Sequence, residues 1–383
     1  FLNVFVACAQ LGAIAIAVNT RFKSHELQDI LARTGATMLI TDFSFEAVKF
    51  EQILGECELG ELNRLRWILN AGSNTTSAAA KLAEFGKVPT RIKVVSLSQA
   101  NDLRALAVQS ATASSPCIIF TTSGTTSQPK FVLHDQQTLL GHGADVAAGF
   151  SLDQHSRLLL VPPLCGVFGF CHVTAAIMAG TPWVMRPSWD PRQAARDIER
   201  HQVTHLNATD DVWMQLLTQN DQTPAYPSLL YGGYAAFNPG LANIVQHAHA
   251  RGVTLIGLYG TSEIQALFAR QSEQSNLDQR QLCGGKPMSS NAKVRVRDPD
   301  SGALLDHHQP GELEFFAPTS RMCRYYGNER ATQAVFSPDG WYKSGDLGYT
   351  ISHDDFVFLE RLGDAMRLGG FLTSPLEIEG HIQ

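Results

Sequence analysis

The chain has 383 residues, of which 44% are hydrophobic and 17% charged, with a formal net charge of −6. That length exceeds one ordinary core and implies two or more domains or subdomains, and the balance excludes a disordered chain. No lysine- or arginine-rich block offsets the acidic excess, which argues against a nucleic-acid-binding surface.

Phe1 to Val18 is apolar, but Asn3 and Gln10 interrupt it, Gly12 divides it and no basic segment precedes it, so neither a membrane span nor a signal peptide is expected. A buried helix ending near Gly12 and a strand over Ala13–Val18 fit better. The chain opens inside that helix without a methionine, which implies a native segment ahead of it. The seven cysteines are scattered with no C-x-x-C pair, as in a reducing, cytoplasmic compartment. Cys165, Cys171 and His172 match no common zinc spacing.

Ser24 is the expected N-cap of a helix from His25 to about Arg33, with Glu26 in its first turn. Leu27 stands where a capping box wants Glu or Gln, so no box is expected. Gly35 ends the helix. Strands follow at Met38–Thr41, Arg66–Leu69 and Lys93–Leu97, with a surface loop over Gly72–Ala80. The β-α-β rhythm argues for a largely parallel sheet with helices on its faces. Cys117–Phe120 reads as a buried strand and Phe131–Leu133 as another. A helix over Gln136–Ala148, a strand over Arg157–Val161, and an apolar loop over Leu164–Phe170 come next. A helix to Gly180 leads to the strand Trp183–Arg186, and a helix from Pro191 to about His201 leads to the strand Val203–Leu206. His201 and His205 are read as strand-entry residues rather than metal ligands. Another helix starts near Asp210. The strand Leu229–Tyr231 ends in Gly232-Gly233, one helix spans Asn238–Ala250, and Val253–Leu258 is a buried strand. From Ala292 the texture becomes β-rich: Lys293–Arg297 and Gly311–Phe316 are strands, Asp298–Gly302 and Asp339-Gly340 turns. Tyr349–Ile351 and Phe356–Leu359 form a hairpin, and a helix begins near Glu379. The expected division is 1–290 for the α/β subdomains, 291–363 for the β-rich one, and 364–383 for a hinge and the stub of a further domain.

Four stretches carry chemistry. Thr121-Thr122-Ser123-Gly124-Thr125-Thr126-Ser127-Gln128-Pro129-Lys130 places six hydroxyl side chains, a glycine and a lysine between two strands. Close backbone approach, hydroxyl donors and a point charge suit a polyanion; a Ser/Thr-rich surface linker has the same composition. The Walker A pattern is not met. Tyr259-Gly260-Thr261-Ser262-Glu263 ends a strand, where open α/β sheets place ligands; a polar turn with a half-buried tyrosine is the plainer reading. Gly340-Trp341-Tyr342-Lys343-Ser344-Gly345-Asp346 offers a carboxylate to a diol, or is a hairpin turn. Arg361-Leu362-Gly363-Asp364 offers a cation beside a backbone hinge, or is a charged loop.

In this order the motifs resemble the adenylate-forming superfamily, in particular its acyl- and aryl-CoA synthetase branch. The phosphate loop of that family, [ST]-[ST]-S-G-[ST]-T-x-x-P-K, is similar to Thr121–Lys130; Y-G-x-[TS]-E to Tyr259–Glu263; G-W-[YF]-x-[ST]-G-D to Gly340–Asp346; G-R-x-x-D and G-x-x-[VI]-x-P-x-E-[IV]-E to Glu360–Asp364 and Gly370–Glu379. The resemblance implies stacked α/β/α/β/α layers, a β-rich distorted-barrel subdomain, and a small mobile C-terminal domain whose adenylation lysine would lie beyond Gln383. Lacking it, the chain is expected to bind nucleotide and acid but adenylate poorly.

It also implies ATP-dependent activation of a carboxylic acid to an acyl-adenylate, then transfer to CoA or to a carrier-protein phosphopantetheine. A nucleotide-binding member without turnover is a further alternative. By resemblance Thr121, Thr122, Ser123, Gly124, Thr125, Thr126 and Lys130 hold the β- and γ-phosphates, Tyr259 stacks on adenine, and Ser262 contacts the α-phosphate. Glu263 binds Mg²⁺, Asp346 holds the ribose with help from Arg361, and Asp364 is the hinge. Lys130, Ser262 and Glu263 are the expected catalytic residues; Gly233, Tyr234, Gly260 and Thr261 complete the expected nucleotide site. Gly166, Phe168, Gly232, Gly257 and Ile264 are expected around the acid, in apolar segments that suit an aryl or medium aliphatic acid. The expected partners are a small carboxylic acid and the thiol acceptor, in a protein compatible with a homodimer.

Departures from the pattern are Glu360 for glycine, Thr373 for Val or Ile, and Gly257 for an amide. Pro163-Leu164-Cys165-Gly166 stands where an aromatic and a histidine are usual, which unsettles the usual gating of the acid pocket. Val161–Gly180 contains no acidic residue to pair an α-ammonium, which disfavours amino acids, with Asp210 and Asp211 as the remaining loophole.

Overall fold

The opening helix runs Leu2–Leu11 and stops at Gly12, whose φ of 70° directs the Gly12 and Ala13 N–H groups back to the carbonyls of Ala9 and Cys8. The protein is described here by a computed structural model covering residues 1–45, 47–72, 82, 88–97, 111–122 and 129–363, plus the backbone of 366–368 and 371–373. The helix is not buried as expected: Phe1, Val6 and Leu11 are exposed. Its apolar surface runs all round, and Phe1 and Phe5 pack edge-on against Phe170.

The chain divides into two compact units, 16–110 and 1–15 with 111–383. Strand β1 (Ala15–Ala17) carries the chain between them in sequence. In the smaller unit, β2 (Met38–Thr41), β3 (Trp67–Asn70) and β4 (Lys93–Ser96) form a parallel three-stranded sheet. Leu27 and Leu31 of helix Ser24–Thr34 pack with Ile53, Leu54, Leu65 and Ile68 beneath it. That helix starts one residue early, with Lys23 as N-cap. The Glu26 carboxylate accepts the Lys23 N–H at 2.9 Å, so the acidic half of a capping box is present where none was expected. An ammonium cannot accept the return bond, so the half-box is all the chemistry allows. Residues 73–80 of the expected loop and the expected helix near Glu379 lie outside the described residues.

In the larger unit, β5 (Pro116–Thr121) and β6 (Phe131–Asp135) pair antiparallel, and β16 (Arg324–Tyr325) adds to β6. A second sheet begins with β7 (Leu158–Leu160), β8 (Trp183–Met185), β9 (His205–Thr209), β10 (Tyr231–Ala235) and β11 (Leu255–Tyr259), all parallel. Helices Pro191–His201, Asp210–Leu217 and Ile244–Ala250 cover one face around Trp213 and Ile198. Helices Gln136–Gly149 and Val167–Ala179 cover the other, around Phe150, Cys171 and Ile256. The expected alternation of helix and parallel strand is therefore present.

Several boundaries differ from expectation, those at Gly169 and Gly232 for a packing reason. The loop Leu164–Phe170 ends at Gly166, and Val167 already begins the helix. Gly169 lies against the bend at Pro162-Pro163: a Cβ there would fall 2.3 Å from the Pro163 carbonyl. The strand at 203–206 begins instead at His205. Gly232 and Gly233 do not end a strand but form the middle of β10, because Trp213 lies where a Gly232 side chain would be, 2.1 Å from an ideal Cβ. The expected helix Asn238–Ala250 is a 3-10 turn, Pro239–Leu241, capped by Asn238, followed by the separate helix Ile244–Ala250.

At β11 the sheet changes direction. β12 (Ala269–Arg270) pairs antiparallel with β11, and β13 (Cys283–Pro287) follows. β14 (Lys293–Arg297), β15 (Gly311–Phe316), β17 (Tyr342–Ser352) and β18 (Asp355–Arg361) continue it to an eleven-stranded sheet, and β19 (Met366–Leu368) and β20 (Phe371–Thr373) form a separate hairpin. The β-rich texture read from Ala292 onward is thus hydrogen-bonded, through β18 and β13, into the same sheet as the parallel strands.

Candidate nucleotide site

Glu263 follows β11 at the switch from parallel to antiparallel pairing, the kind of crevice in which open sheets hold ligands. The turn is tight. A Cβ on Gly260 would meet Ala266 at 2.6 Å, and Thr261 Oγ1 accepts the Glu263 and Ile264 N–H groups at 3.2 and 3.3 Å. His134 Nε2 donates to the Ser262 carbonyl at 2.8 Å from β6, and burial pushes the His134 imidazole down to about 4. A neutral ring held on the Nε2–H tautomer thereby fixes the turn.

Glu263 is largely buried, and its Oε1 accepts the Tyr325 hydroxyl at 2.7 Å. The Lys130 ammonium sits 4.8 Å above the same Tyr325 ring. Thr122 and Lys130 close the neck of the Thr121–Lys130 loop: Thr122 N–H donates to the Lys130 carbonyl at 3.0 Å, and Lys130 N–H to Thr122 Oγ1 at 3.1 Å. Thr121 ends β5. Ser123, Gly124, Thr125 and Thr126 lie outside the described residues, as does Asp364.

Opposite, β17 and β18 bring Asp346 beside Arg361 in register. Arg361 Nη1 lies 2.9 Å from Asp346 Oδ1 and donates to the Ser344 carbonyl at 3.1 Å. Asp346 Oδ2 accepts the Tyr259 hydroxyl at 2.6 Å. Although Oδ1 is close to Arg361, the pair lacks hydrogen-bond alignment. Buried Oδ1 is left without a hydrogen-bond donor among the described residues. Burial raises the Asp346 carboxyl to about 6, against the pull of Arg361 and Tyr259. Glu312 accepts the Gly345 N–H at 3.1 Å, and burial raises its carboxyl too.

These elements border one open cleft of about 280 Å³, lined by Lys130, Glu263, Glu312, Tyr325, Lys343, Ser344 and Arg361 among others. It joins two cations from one strand pair, Lys343 and Arg361, with Lys130 and two carboxylates, Glu263 and Glu312, from elsewhere in the chain. The AMP-binding enzyme family matches residues 1–326. The chain belongs to that family. With it the chain belongs to the adenylate-forming acid–thiol ligases, in the branch of acyl- and aryl-CoA synthetases.

This AMP-binding enzyme is 26% identical over 377 residues to the 2-succinylbenzoate–CoA ligase of Bacillus subtilis (strain 168), an alignment covering 97% of the chain and 68% of the relative. It is 25% identical over 392 residues to 4-coumarate–CoA ligase 5 of Oryza sativa subsp. japonica, covering 99% of the chain and 67% of that relative. Its fold matches the O-succinylbenzoate coenzyme A synthetase from Bacillus subtilis in complex with ATP and magnesium ion. The TM-score is 0.77 at 20% identity, with 100% of this chain and 71% of that chain covered. The layered α/β architecture is the fold those adenylating enzymes share.

Not every residue expected in the site reaches it. Gly233 and Tyr234 are built into the interior of β10. Gly233 N–H donates to Asn207 Oδ1 at 2.8 Å, and the Tyr234 hydroxyl donates to the Gln281 carbonyl from within the core. At Gly257 the direction a side chain would take leads into the Leu282 carbonyl, 2.0 Å from an ideal Cβ, so the strand leaves no room for a side chain there. Gly232 is likewise closed by Trp213, and Ile264 is fully buried beside Tyr259 and Phe268. Phe168 is half-buried, its ring 5.3 Å from that of His172, and Gly166 caps the same helix. Tyr325, His134 and Glu312 were not legible in the sequence as site residues. They stand 62 residues from Glu263, 128 from Ser262 and 33 from Gly345, and no local spacing links them. Among the described residues no helix is long and apolar enough to cross a membrane.

Proposed function

We propose that this enzyme activates a small aryl or medium aliphatic carboxylic acid with ATP and passes the acyl group to the thiol of CoA. The observation that carries the reading is the buried, donor-less Asp346 Oδ1 at the edge of a cleft lined by Lys130, Glu263 and Arg361. A ribose hydroxyl donates the bond that this acceptor lacks, which matches the two sides chemically. In the reaction a carboxylate oxygen bonds to the α-phosphorus, the bond from that phosphorus to the bridging oxygen breaks, and pyrophosphate leaves. The thiol sulfur then bonds to the acyl carbon, and AMP leaves with the electron pair.

The chain's own part is positioning and charge. Lys130 supplies a cation to the β- and γ-phosphates, held over Tyr325 and at the neck of its loop. Ser262 faces the α-phosphate from a turn fixed by His134. Glu263 keeps Oε2 for a hard cation while Tyr325 holds Oε1. Bound there, Mg²⁺ supplies positive charge to the phosphate oxygens. Few protein carboxylates are needed, since Mg²⁺ commonly takes one or two plus phosphate oxygens; among the described residues no group of three His, Cys, Asp or Glu side chains could hold a metal. Adenine stacking on Tyr259 requires one ring face to open, because Phe315, Phe356 and Phe358 now surround it with centroids at 5.2 to 5.5 Å.

Asp210 does not reopen the amino-acid alternative. Its Oδ2 accepts the Phe237 and Asn238 N–H groups, both at 2.8 Å, and its Oδ1 the Asp211 N–H at 2.9 Å. CoA is preferred to a carrier-protein phosphopantetheine as acceptor because the relatives are named CoA ligases. ATP–pyrophosphate exchange over a panel of acids tests the reading. Exchange followed by CoA thioester formation is expected. Exchange without the thioester would shift the acceptor to a carrier protein, and nucleotide binding with no exchange for any acid would leave a binding protein without turnover.

A further inference from the structure

Strand β17 does not run straight past β15. Glu312 pairs with Leu347 and Glu314 with Lys343, so Ser344, Gly345 and Asp346 stand opposite Leu313 alone. A bulge of this kind takes peptide groups out of the ladder and re-aims the side chains it carries. Here it carries Asp346, which stays in register with Arg361 on β18. Gly345 makes the bend. Its φ is 70°, in the left-handed region, and nothing lies within 4 Å of an ideal Cβ there. The glycine is therefore needed for its backbone and not for space.

The peptide groups displaced from the ladder are bonded again, mostly by side chains. Ser344 Oγ donates to the Leu313 carbonyl at 2.6 Å and accepts the Asp346 N–H at 3.0 Å. Arg361 Nη1 donates to the Ser344 carbonyl at 3.1 Å, and the Leu362 N–H to the Gly345 carbonyl at 2.9 Å. That leaves the Gly345 N–H, which donates to Glu312 Oε1 at 3.1 Å. The two peptide planes that flank Gly345 are thus held from different sides, one by β15 and one by the residue after β18. Fixing both planes fixes the φ and ψ of Gly345, and with them the direction in which Asp346 leaves the bulge.

We propose that Glu312 is a positioning residue for nucleotide binding: by holding the Gly345 N–H it fixes the bulge that aims Asp346 at the ribose. The inference rests on the assignment of Asp346 to the ribose made above. Glu312 also lines the cleft, so a direct contact with the nucleotide is the rival account. Chemistry separates the two. Positioning needs only an acceptor at Oε1, which an amide keeps, whereas a charge contact needs the carboxylate.

The test is calorimetric titration of AMP and of its dideoxy analogue, which lacks both ribose hydroxyls. The unaltered enzyme is expected to favour AMP roughly tenfold, and Glu312→Ala to lose roughly tenfold in AMP affinity with binding of the analogue unchanged, the scale of one donor left unpaired. Glu312→Gln is expected to recover most of that loss. Glu312→Asp keeps the charge but draws the acceptor back by one methylene, and is expected to behave like Glu312→Ala, so a milder variant carries the prediction should Glu312→Ala not fold. Full AMP affinity in both Glu312→Ala and Glu312→Asp overturns the proposal, and so does an equal loss for the two nucleotides, which marks a general defect of the fold. A loss that persists in Glu312→Gln also overturns it, because that result makes the carboxylate a direct contact. An unaltered enzyme that binds the two nucleotides equally is a different result: it removes Asp346 from the ribose, and this proposal with it.

Discussion

Burial governs the Asp346 carboxyl, whereas a hydrogen bond from Tyr325 governs Glu263. Asp346 is held near neutrality, at about 6, because burial outweighs Arg361. A ribose diol needs the ionised form, so AMP affinity is expected to fall as pH drops from 7 to 5. Asp346→Asn should lower affinity at least tenfold at pH 7.5, flatten that pH dependence and leave the protein at least as stable at pH 8, since the remaining Arg361 side chain is more than half exposed. Calorimetric titration of AMP at several pH values checks both; full affinity in the variant would remove Asp346 from the ribose. Tyr325 acts on Glu263 instead, as a positioning residue. Tyr325→Phe releases Oε1, at a cost of about 1 kcal/mol for the lost bond, and should raise the Mg²⁺ concentration giving half-maximal exchange several-fold. A variant with the same Mg²⁺ dependence would show that the hydroxyl only fills space.

Helix Val167–Ala179 lies directly after the bend at Pro162-Pro163, and Gly169 is the residue that fits against that bend. A methyl group at Gly169 meets two backbone carbonyls, Pro163 O at 2.3 Å and Pro162 O at 2.4 Å, neither of which rotates away. Gly169→Ala is therefore expected to destabilise the protein by about 1–3 kcal/mol and to raise KM for the acid with little effect on KM for ATP; urea unfolding and exchange kinetics measure the two. This element also marks the limit of what was legible in the sequence. The helix itself, with its end at Gly180, could be read from apolar content and a terminal glycine. Its start could not, because Gly169 is specified by contact with a proline bend and not by any local propensity. The same holds for Gly232, which reads as a strand terminator until Trp213 is seen to occupy its side-chain space. Strands with flanking turns, such as Met38–Thr41, Lys293–Arg297 and Gly311–Phe316, were legible to the residue. The four motifs pointed to the cleft because each is contiguous in sequence. Tyr325, His134 and Glu312 entered only with the fold, since single side chains reach the site across long sequence separations.

Across the whole molecule, the polar groups of the core set its response to acid. His134, His142 and His172 are each pushed down to about 4 by burial, from an ordinary 6.5, and burial lowers His205 as well. Between pH 6.5 and 4 the unfolded chain binds protons at these three rings that the folded chain refuses. Their contribution to stability is therefore complete above 6.5 and is lost as pH falls. Asp346 works the other way. Folded, it keeps its proton up to about 6, whereas unfolded it releases it near 3.8, so it favours the folded state at low pH and withdraws that support as pH rises. For these four groups alone, three protons against one give a net uptake of about two on unfolding near pH 5, or about 3 kcal/mol lost per pH unit. Urea unfolding at pH 7.5, 6 and 5 is expected to show stability nearly flat above 6.5 and falling steeply below 6. His142→Asn, which removes one of the three rings, should reduce the slope by about one proton, and an unchanged slope would mean that the His142 ring is solvated or charged in the folded protein.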